Sequence, residues 1–207
     1  MSAPPQTESK LVSRGPLDPS EARWTKLVKT TYTDPLGVER TWESAERTTR
    51  PAGIDLDGVG IVAIFNKDTG PEILLQKQYR PPVNASVIEI PAGLIDANET
   101  PEQCAVRELM EETGYIGVAK ETSPVMFNDP GMCNTNLNMV HIEIDLSLPE
   151  NQKPVPKLEE NEFIECFTVP LTNLFDELKK LEGQGFAIDA RVGTIAEGIE
   201  LAKKWKL

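Results

Sequence analysis

Between Gly93 and Tyr115 the chain reads GLIDANETPEQCAVRELMEETGY, and no other stretch restricts the fold as much. Thr100-Pro101-Glu102-Gln103 is a helix start: Thr100 can cap, Pro101 suits the first helical position, and Gln103 completes a capping box. Gly114 is a natural stop, so the pattern predicts a helix over 101–113. At about 100° per residue, Ala105, Val106, Leu109 and Met110 form one apolar stripe that can pack on a sheet. Glu108, Glu111 and Glu112 gather on a different face. Glu108 and Glu112 are like charges four residues apart, and all three acids lie where the helix macrodipole disfavours anions. Local preferences broken this densely mark function. Crowded carboxylates are relieved by Mg²⁺ or a similar hard cation. The plainer alternative is a solvated acidic face.

The 207 residues suit one domain of ordinary size with an added arm. A net charge of −12 argues against a general binder of nucleic acid or anionic membrane. It says nothing against a small phosphorylated substrate held by a few local arginines. Cys104, Cys133 and Cys166 show no paired spacing, which favours thiols in a reducing compartment. The cytoplasm is expected, with the nucleus left open. His141, the only histidine, sits in a strand-like run and reads as structural. A histidine-rich zinc site is thereby excluded, and carboxylates must supply any acid–base chemistry near neutral pH. The first ten residues, MSAPPQTESK, lack the apolar core of a secretory signal, and the run Ile61 to Phe65 is too short to span a bilayer.

Residues 1–20 read as a mobile tail, 21–52 as an N-terminal β subdomain and 53–207 as the main domain. The subdomain is a hairpin, with strands over 23–32 and 38–48 joined by the turn Asp34-Pro35-Leu36-Gly37. Trp24 and Trp42 lie on it, either filling a core or dimer contact or offering flat surfaces to a purine ring. The main domain opens with strands over 60–65 and 72–79, with Arg80 just before Pro81-Pro82. One strand over 87–93 then runs into the acidic helix. Asn128-Asp129-Pro130-Gly131 is a turn, 138–146 alternates as a half-buried strand, and 147–161 reads as a long surface loop. A strand over 162–169, a helix capped by Thr172 through 180 and a last helix capped by Asp189 complete the chain.

Gly93, Glu99, Arg107-Glu108-Leu109, Glu111-Glu112 and Gly114-Tyr115 fit the Nudix box at every specified position, and the chain resembles the Nudix hydrolases. From about Trp24 onward it is similar to one branch, the dimeric ADP-ribose and ADP-sugar pyrophosphatases. The markers are KTTYTDPLG, TWESAERTTR, QYRPP, IPAGLID, NDPG and DARV. Pro130, fifteen residues after Tyr115, matches a proline that accompanies ADP-ribose hydrolysis. The resemblance implies an α+β fold: a Nudix α/β/α sandwich with a mixed sheet, plus an N-terminal antiparallel hairpin used in dimerisation.

It also implies a Mg²⁺ site, with Mn²⁺ as the alternative ion, in which Glu108 and Glu112 ligate with the Ala92 carbonyl and Glu111 supports them. Arg107 would orient these acids and Glu99 would tie loop to helix. Trp24 and Trp42 would sandwich adenine, Glu43 would accept from the base, and Arg47 and Arg80 would bind phosphate. Asp129 and Leu94 would meet the terminal ribose. Glu162 is the implied general base, with Glu111 and Glu108 as alternatives. The implied reaction is hydrolysis of a small nucleoside diphosphate sugar, ADP-ribose, to AMP and ribose 5-phosphate, in a homodimer that shares its sites. Other Nudix substrates (diadenosine polyphosphates, GDP-mannose, oxidised nucleotides) and a non-catalytic ADP-ribose sensor are the rival readings.

Overall fold

The computed structural model describes residues 9–207. Residues 1–8 of the expected tail lie outside the described residues. Residues 9–18 form no regular element, and Arg14 Nη2 donates to the carbonyls of Pro82 (2.9 Å) and Pro81 (3.3 Å). The elements in order are β1 (Thr25–Thr33), β2 (Glu39–Arg47), β3 (Gly58–Lys67), β4 (Gly70–Arg80), β5 (Ala85–Glu89) and β6 (Ala92–Leu94). Then come α1 (Pro101–Thr113), β7 (Val118–Thr122), β8 (Met126–Phe127), β9 (Asn136–Ile144) and α2 (Pro149–Gln152). The chain ends with β10 (Ile164–Pro170), a tight turn Leu171–Asn173, α3 (Leu174–Gly183), β11 (Ala187–Ile188) and α4 (Ala190–Trp205).

The chain divides into two compact units. One contains Leu17–Phe65 and Pro91–Lys157. In it β1 and β2 form a separate two-stranded antiparallel sheet, closed by the expected turn. Asp34 makes that turn: its Oδ1 accepts from the amides of Leu36 and Val38, both at 2.9 Å. Strand β3 pairs in parallel with β9 and antiparallel with β6, while β7 and β8 pair antiparallel with β9. Val59, Ile61, Val62, Ala63 and Phe65 of β3 are buried with Leu137, Met139, Val140, Ile142 and Ile144 of β9. This near-continuous apolar run is what a parallel strand covered on both faces requires. Helix α1 packs on β6, β7 and β9.

The other unit contains Asn66–Ile90 and Leu158–Leu207, together with the segment ending at Pro16. Here β4 pairs antiparallel with β5 and β10, and β11 adds in parallel to β5. Its core is Ile73, Leu74, Leu75, Ile88, Val169, Leu174, Leu178, Val192 and Ala196, with α3 and α4 supplying the last four. Pairing is mixed in both units, as an α+β chain of the expected kind demands.

Several local expectations need correction. The strand expected over 87–93 is two strands broken at Ile90-Pro91, and the halves pair with different partners, β4 and β3. Pro91 has no amide to continue a ladder, so the partner changes there. The first half of β9, Asn136 to Val140, is buried on both faces, and alternation begins only at His141. The 147–161 segment is not wholly a surface loop. It holds α2 and the buried Asn151, whose side chain accepts from Ile116 N (2.8 Å) and donates to Ile116 O (2.8 Å) and Asp145 O (2.9 Å). Thr172 lies inside the tight turn and does not cap; α3 starts at Leu174 without a side-chain cap. Asp189 does cap α4, accepting from Arg191 N at 2.8 Å.

Candidate active site

Helix α1 has the limits and both ends its sequence predicts. Thr100 Oγ1 accepts from Gln103 N (3.2 Å), Gln103 Oε1 accepts from Thr100 N (2.9 Å), and Gly114 closes the helix at φ 76°. A side chain at Gly114 would also strike the backbone of Pro154 and Val155, which crosses this end of the helix. The buried stripe is turned from the expected one. It comprises Cys104, Ala105, Leu109, Glu112 and Thr113, with Val106 and Met110 only half-buried. An acid therefore lies on the packed face. Glu112 is 5% exposed, and its Oε2 accepts from Ala92 N at 3.0 Å.

Arg107 is the hub of the remaining acids. Its Nε and Nη2 take both oxygens of Glu99 at 2.8 Å, and Nη2 also reaches Leu94 O at 3.1 Å. Its Nη1 donates to Glu108 Oε1 (2.8 Å) and Glu111 Oε2 (3.1 Å). A planar fork with five donors suits this task and a lysine would not. The Arg107 guanidinium holds the Glu99 carboxyl below its usual range, and the acids in turn push Arg107 further up. Glu99 also accepts from Asp96 N (3.1 Å), so it ties the loop to the helix.

Gly93 completes the arrangement. Glu108 lies so close over it that any Cβ there would overlap the Glu108 carboxylate. Ala92–Gly93, Glu108 and Glu112 are thus brought together, with Glu111 sharing the Arg107 Nη1. Among the described residues no three His, Cys, Asp or Glu side chains form a preformed metal cluster. Two of the three acids turn toward Arg107 and the third toward the Ala92 amide.

On the hairpin side, Trp42 Nε1 donates to Gly131 O (3.0 Å), and Ala45 N to Met132 O (2.9 Å), so β2 is docked to the turn that carries Asp129. Trp42 and that turn are brought together, while Glu43, the next residue of β2, pairs with Lys29. Trp24 is 68% exposed and just precedes Thr25, which pairs with Arg47. Trp42 pairs with Thr30, six residues from Trp24. At 3.4 Å per residue the two tryptophan backbones are about 20 Å apart. Arg80 and Glu162 belong to the other unit. Glu162 Oε2 accepts from Glu159 N (3.0 Å), closing its own turn.

One residue the sequence reading missed is Glu89. It is 4% exposed and takes Arg80 in a two-pronged grip, Nε–Oε1 2.9 Å and Nη2–Oε2 2.6 Å. The signal was present: an acid inside the otherwise apolar run Val87-Ile88-Glu89-Ile90.

The fold and this loop–helix define a Nudix protein. The NUDIX domain model matches residues 55–189, and the chain belongs to that family. It is 53% identical to an ADP-ribose pyrophosphatase of Saccharomyces cerevisiae, over 98% of this chain and 88% of that one. It is 40% identical to an ADP-sugar pyrophosphatase of Mus musculus, over 84% of this chain and 80% of the relative. A crystal structure of an ADP compounds hydrolase shares the fold, with a TM-score of 0.60 at 19% identity, over 89% of this chain and 87% of the other.

Nudix hydrolases generally use a divalent metal. The donors here fit one: hard oxygens only, with three carboxylates (Glu99, Glu108, Glu111) around a single guanidinium and a fourth, Glu112, on the Ala92 amide.

Proposed function

We propose that this chain hydrolyses the diphosphate of ADP-ribose and other ADP-sugars, adding water across the phosphoanhydride to give AMP and, from ADP-ribose, ribose 5-phosphate. The observation that carries this is the gathering of Glu108 and Glu112 against Ala92–Gly93 with Arg107 behind them, in a chain whose relatives bear pyrophosphatase names. Glu108, Glu112 and the Ala92 carbonyl would hold the cation, Mg²⁺ first and Mn²⁺ as the alternative, with Glu111 beside them. When bound, such an ion offsets the charge of the diphosphate and makes nearby water more acidic.

The protein's own groups do the rest. Arg107 bridges Glu108 and Glu111 through its Nη1 and aims them, and Glu99 holds Arg107. Arg47 and Arg80 would neutralise phosphate oxygens, Glu43 would accept from the base, and Leu94 and Asp129 would meet the terminal ribose. Glu162 is the proposed base that takes the proton from attacking water, with Glu111 or Glu108 next in order.

The working unit is proposed to be a homodimer with shared sites. Two tryptophans sandwiching one ring each lie about 4.5–7 Å from it, which the ladder spacing of Trp24 and Trp42 within one chain does not favour. A second copy bringing its own hairpin would place one against the other. The hairpin exposes Leu27, Tyr32, Leu36 and Val38 as well as both tryptophans, which supports such a cover. Among the described residues no helix is long and apolar enough to cross a membrane. The three cysteines form no disulfide, which supports residence in the cytoplasm or nucleus.

The test is a panel of nucleoside diphosphate sugars with Mg²⁺, with products separated by chromatography. AMP from ADP-ribose, with little turnover of GDP-linked sugars, is the expected result. No AMP from any ADP-sugar would overturn the proposal.

A further inference from the structure

We propose that Glu89 is a positioning residue for Arg80, fixing the plane of its guanidinium so that its donors meet the substrate diphosphate in one direction. This rests on the reading of Arg80 as a diphosphate ligand given above. Arg80 is the last residue of β4, pinned from behind by Pro81-Pro82, and its side chain is 43% exposed. Glu89 is the last residue of β5 and almost wholly buried.

The two are not opposite one another. Arg80 pairs with Ala85 and Glu89 with Gln76, so the carboxylate sits four residues further along β5, roughly 13 Å of strand. Residues 85, 87 and 89 share one face of the strand, as do their partners 80, 78 and 76. Arg80 therefore runs back along the sheet, past the row of Val87, to reach Glu89. It makes contacts of 2.9, 3.1 and 2.6 Å there. A long cationic side chain at a strand end ordinarily points to water. This one is laid down and locked through its Nε–Nη2 edge.

Stability alone is a poor reason for the pair. Buried ion pairs roughly break even against apolar residues of the same volume. The next residue on the same face, Gln76, is fully buried and neither its Oε1 nor its Nε2 has a partner among the described residues. A buried carboxylate beside an unpartnered buried amide costs stability, so packing alone does not account for this row. With the edge toward Glu89 occupied, the orientation of the other donors is set by the protein. A guanidinium oriented beforehand loses less freedom on meeting a planar array of phosphate oxygens.

The experiment is a double-mutant cycle of Glu89→Gln and Arg80→Ala, run on whichever nucleoside diphosphate sugar the unmutated protein cleaves fastest. That choice keeps the cycle readable if ADP-ribose itself proves not to be the substrate. Glu89→Gln is expected to raise KM about tenfold with kcat within about threefold, the mark of lost ground-state binding. Glu89→Asp, which keeps the charge on a shorter stem, should fall between. In the Arg80→Ala background, Glu89→Gln should change KM by less than about twofold, since its effect passes through the arginine. A thermal melt of each variant confirms that folded protein is compared. An unchanged KM in Glu89→Gln, or the same tenfold penalty with and without Arg80, would overturn the inference while leaving the proposed reaction standing.

Discussion

Gly93→Ala is the sharpest perturbation the site offers. Gly93 does not use a positive φ, so alanine is conformationally acceptable there. What it lacks is room, because the new Cβ would overlap the Cγ, Cδ and Oε1 of Glu108. To reach ordinary carbon–carbon contact the carboxylate must withdraw by on the order of 1.5 Å. It moves as the far end of a flexible side chain, so the backbone need not shift. The stability loss is mainly the hydrogen bond from Arg107 Nη1 to Glu108, about 1 kcal/mol, partly offset by the stiffer unfolded chain. For a chain of this size that is about 2–4 °C in Tm. The catalytic loss is of another order, since misplacing a catalytic group by about 1 Å costs about a hundredfold in rate. Steady-state kcat on ADP-ribose at saturating Mg²⁺, with a melt on the same sample, separates the two effects. A variant within threefold of the unmutated kcat would refute the role given to Glu108. So would a loss of activity that only follows the loss of folded protein.

Asp57 holds together the segment that leads into β3. Its carboxylate takes Arg50 Nε (3.0 Å) and Nη2 (2.7 Å) and the amide of Asn136 (3.0 Å). Burial pushes its pKa up, but the bonds from Arg50 and Asn136 outweigh that and hold it below the usual range. Because the folded value is the lower one, this stability is fully present above the unfolded pKa of about 3.9 and is lost as pH falls through the folded value. Asp57→Asn should cost about 2–3 kcal/mol at pH 7 and flatten the acid limb of a Tm-against-pH curve below about pH 4; an unchanged acid limb would contradict this. Trp24→Ala and Trp42→Ala should each raise KM for ADP-ribose about tenfold or more. If sites are shared between copies, mixing the two variants under exchange restores up to roughly a quarter of the sites, whereas sites confined to one chain would give no recovery.

How much of this could be read from residues alone depends on how local the cause is. Helix α1 was legible to the residue because its capping box and Gly114 are self-contained signals. The hairpin was legible because Asp34 makes the turn by itself. The break at Pro91 was readable in principle, but which strand each half would join depends on pairing across the sheet. The burial of Glu112 depends on the Ala92 amide, twenty residues away in sequence, and no periodicity announces it. Thr172 looked like a cap because its type is right, yet a preceding tight turn displaced the start of α3. Glu89 was hidden for the opposite reason. It was visible as an acid in an apolar run, but its partner Arg80 sits four ladder positions off register. Nearest-neighbour reasoning would not join them.

The claim that the acids of α1 grip a divalent cation against a diphosphate is tested most directly by calorimetric titration of Mg²⁺ with a non-cleavable ADP-ribose analogue present. The unmutated protein should take up the cation, and Glu112→Gln, which weakens the group bonded to Ala92, should lose most of that uptake and nearly all turnover. No uptake by the unmutated protein, or equal uptake and more than about a tenth of the turnover in Glu112→Gln, would contradict it.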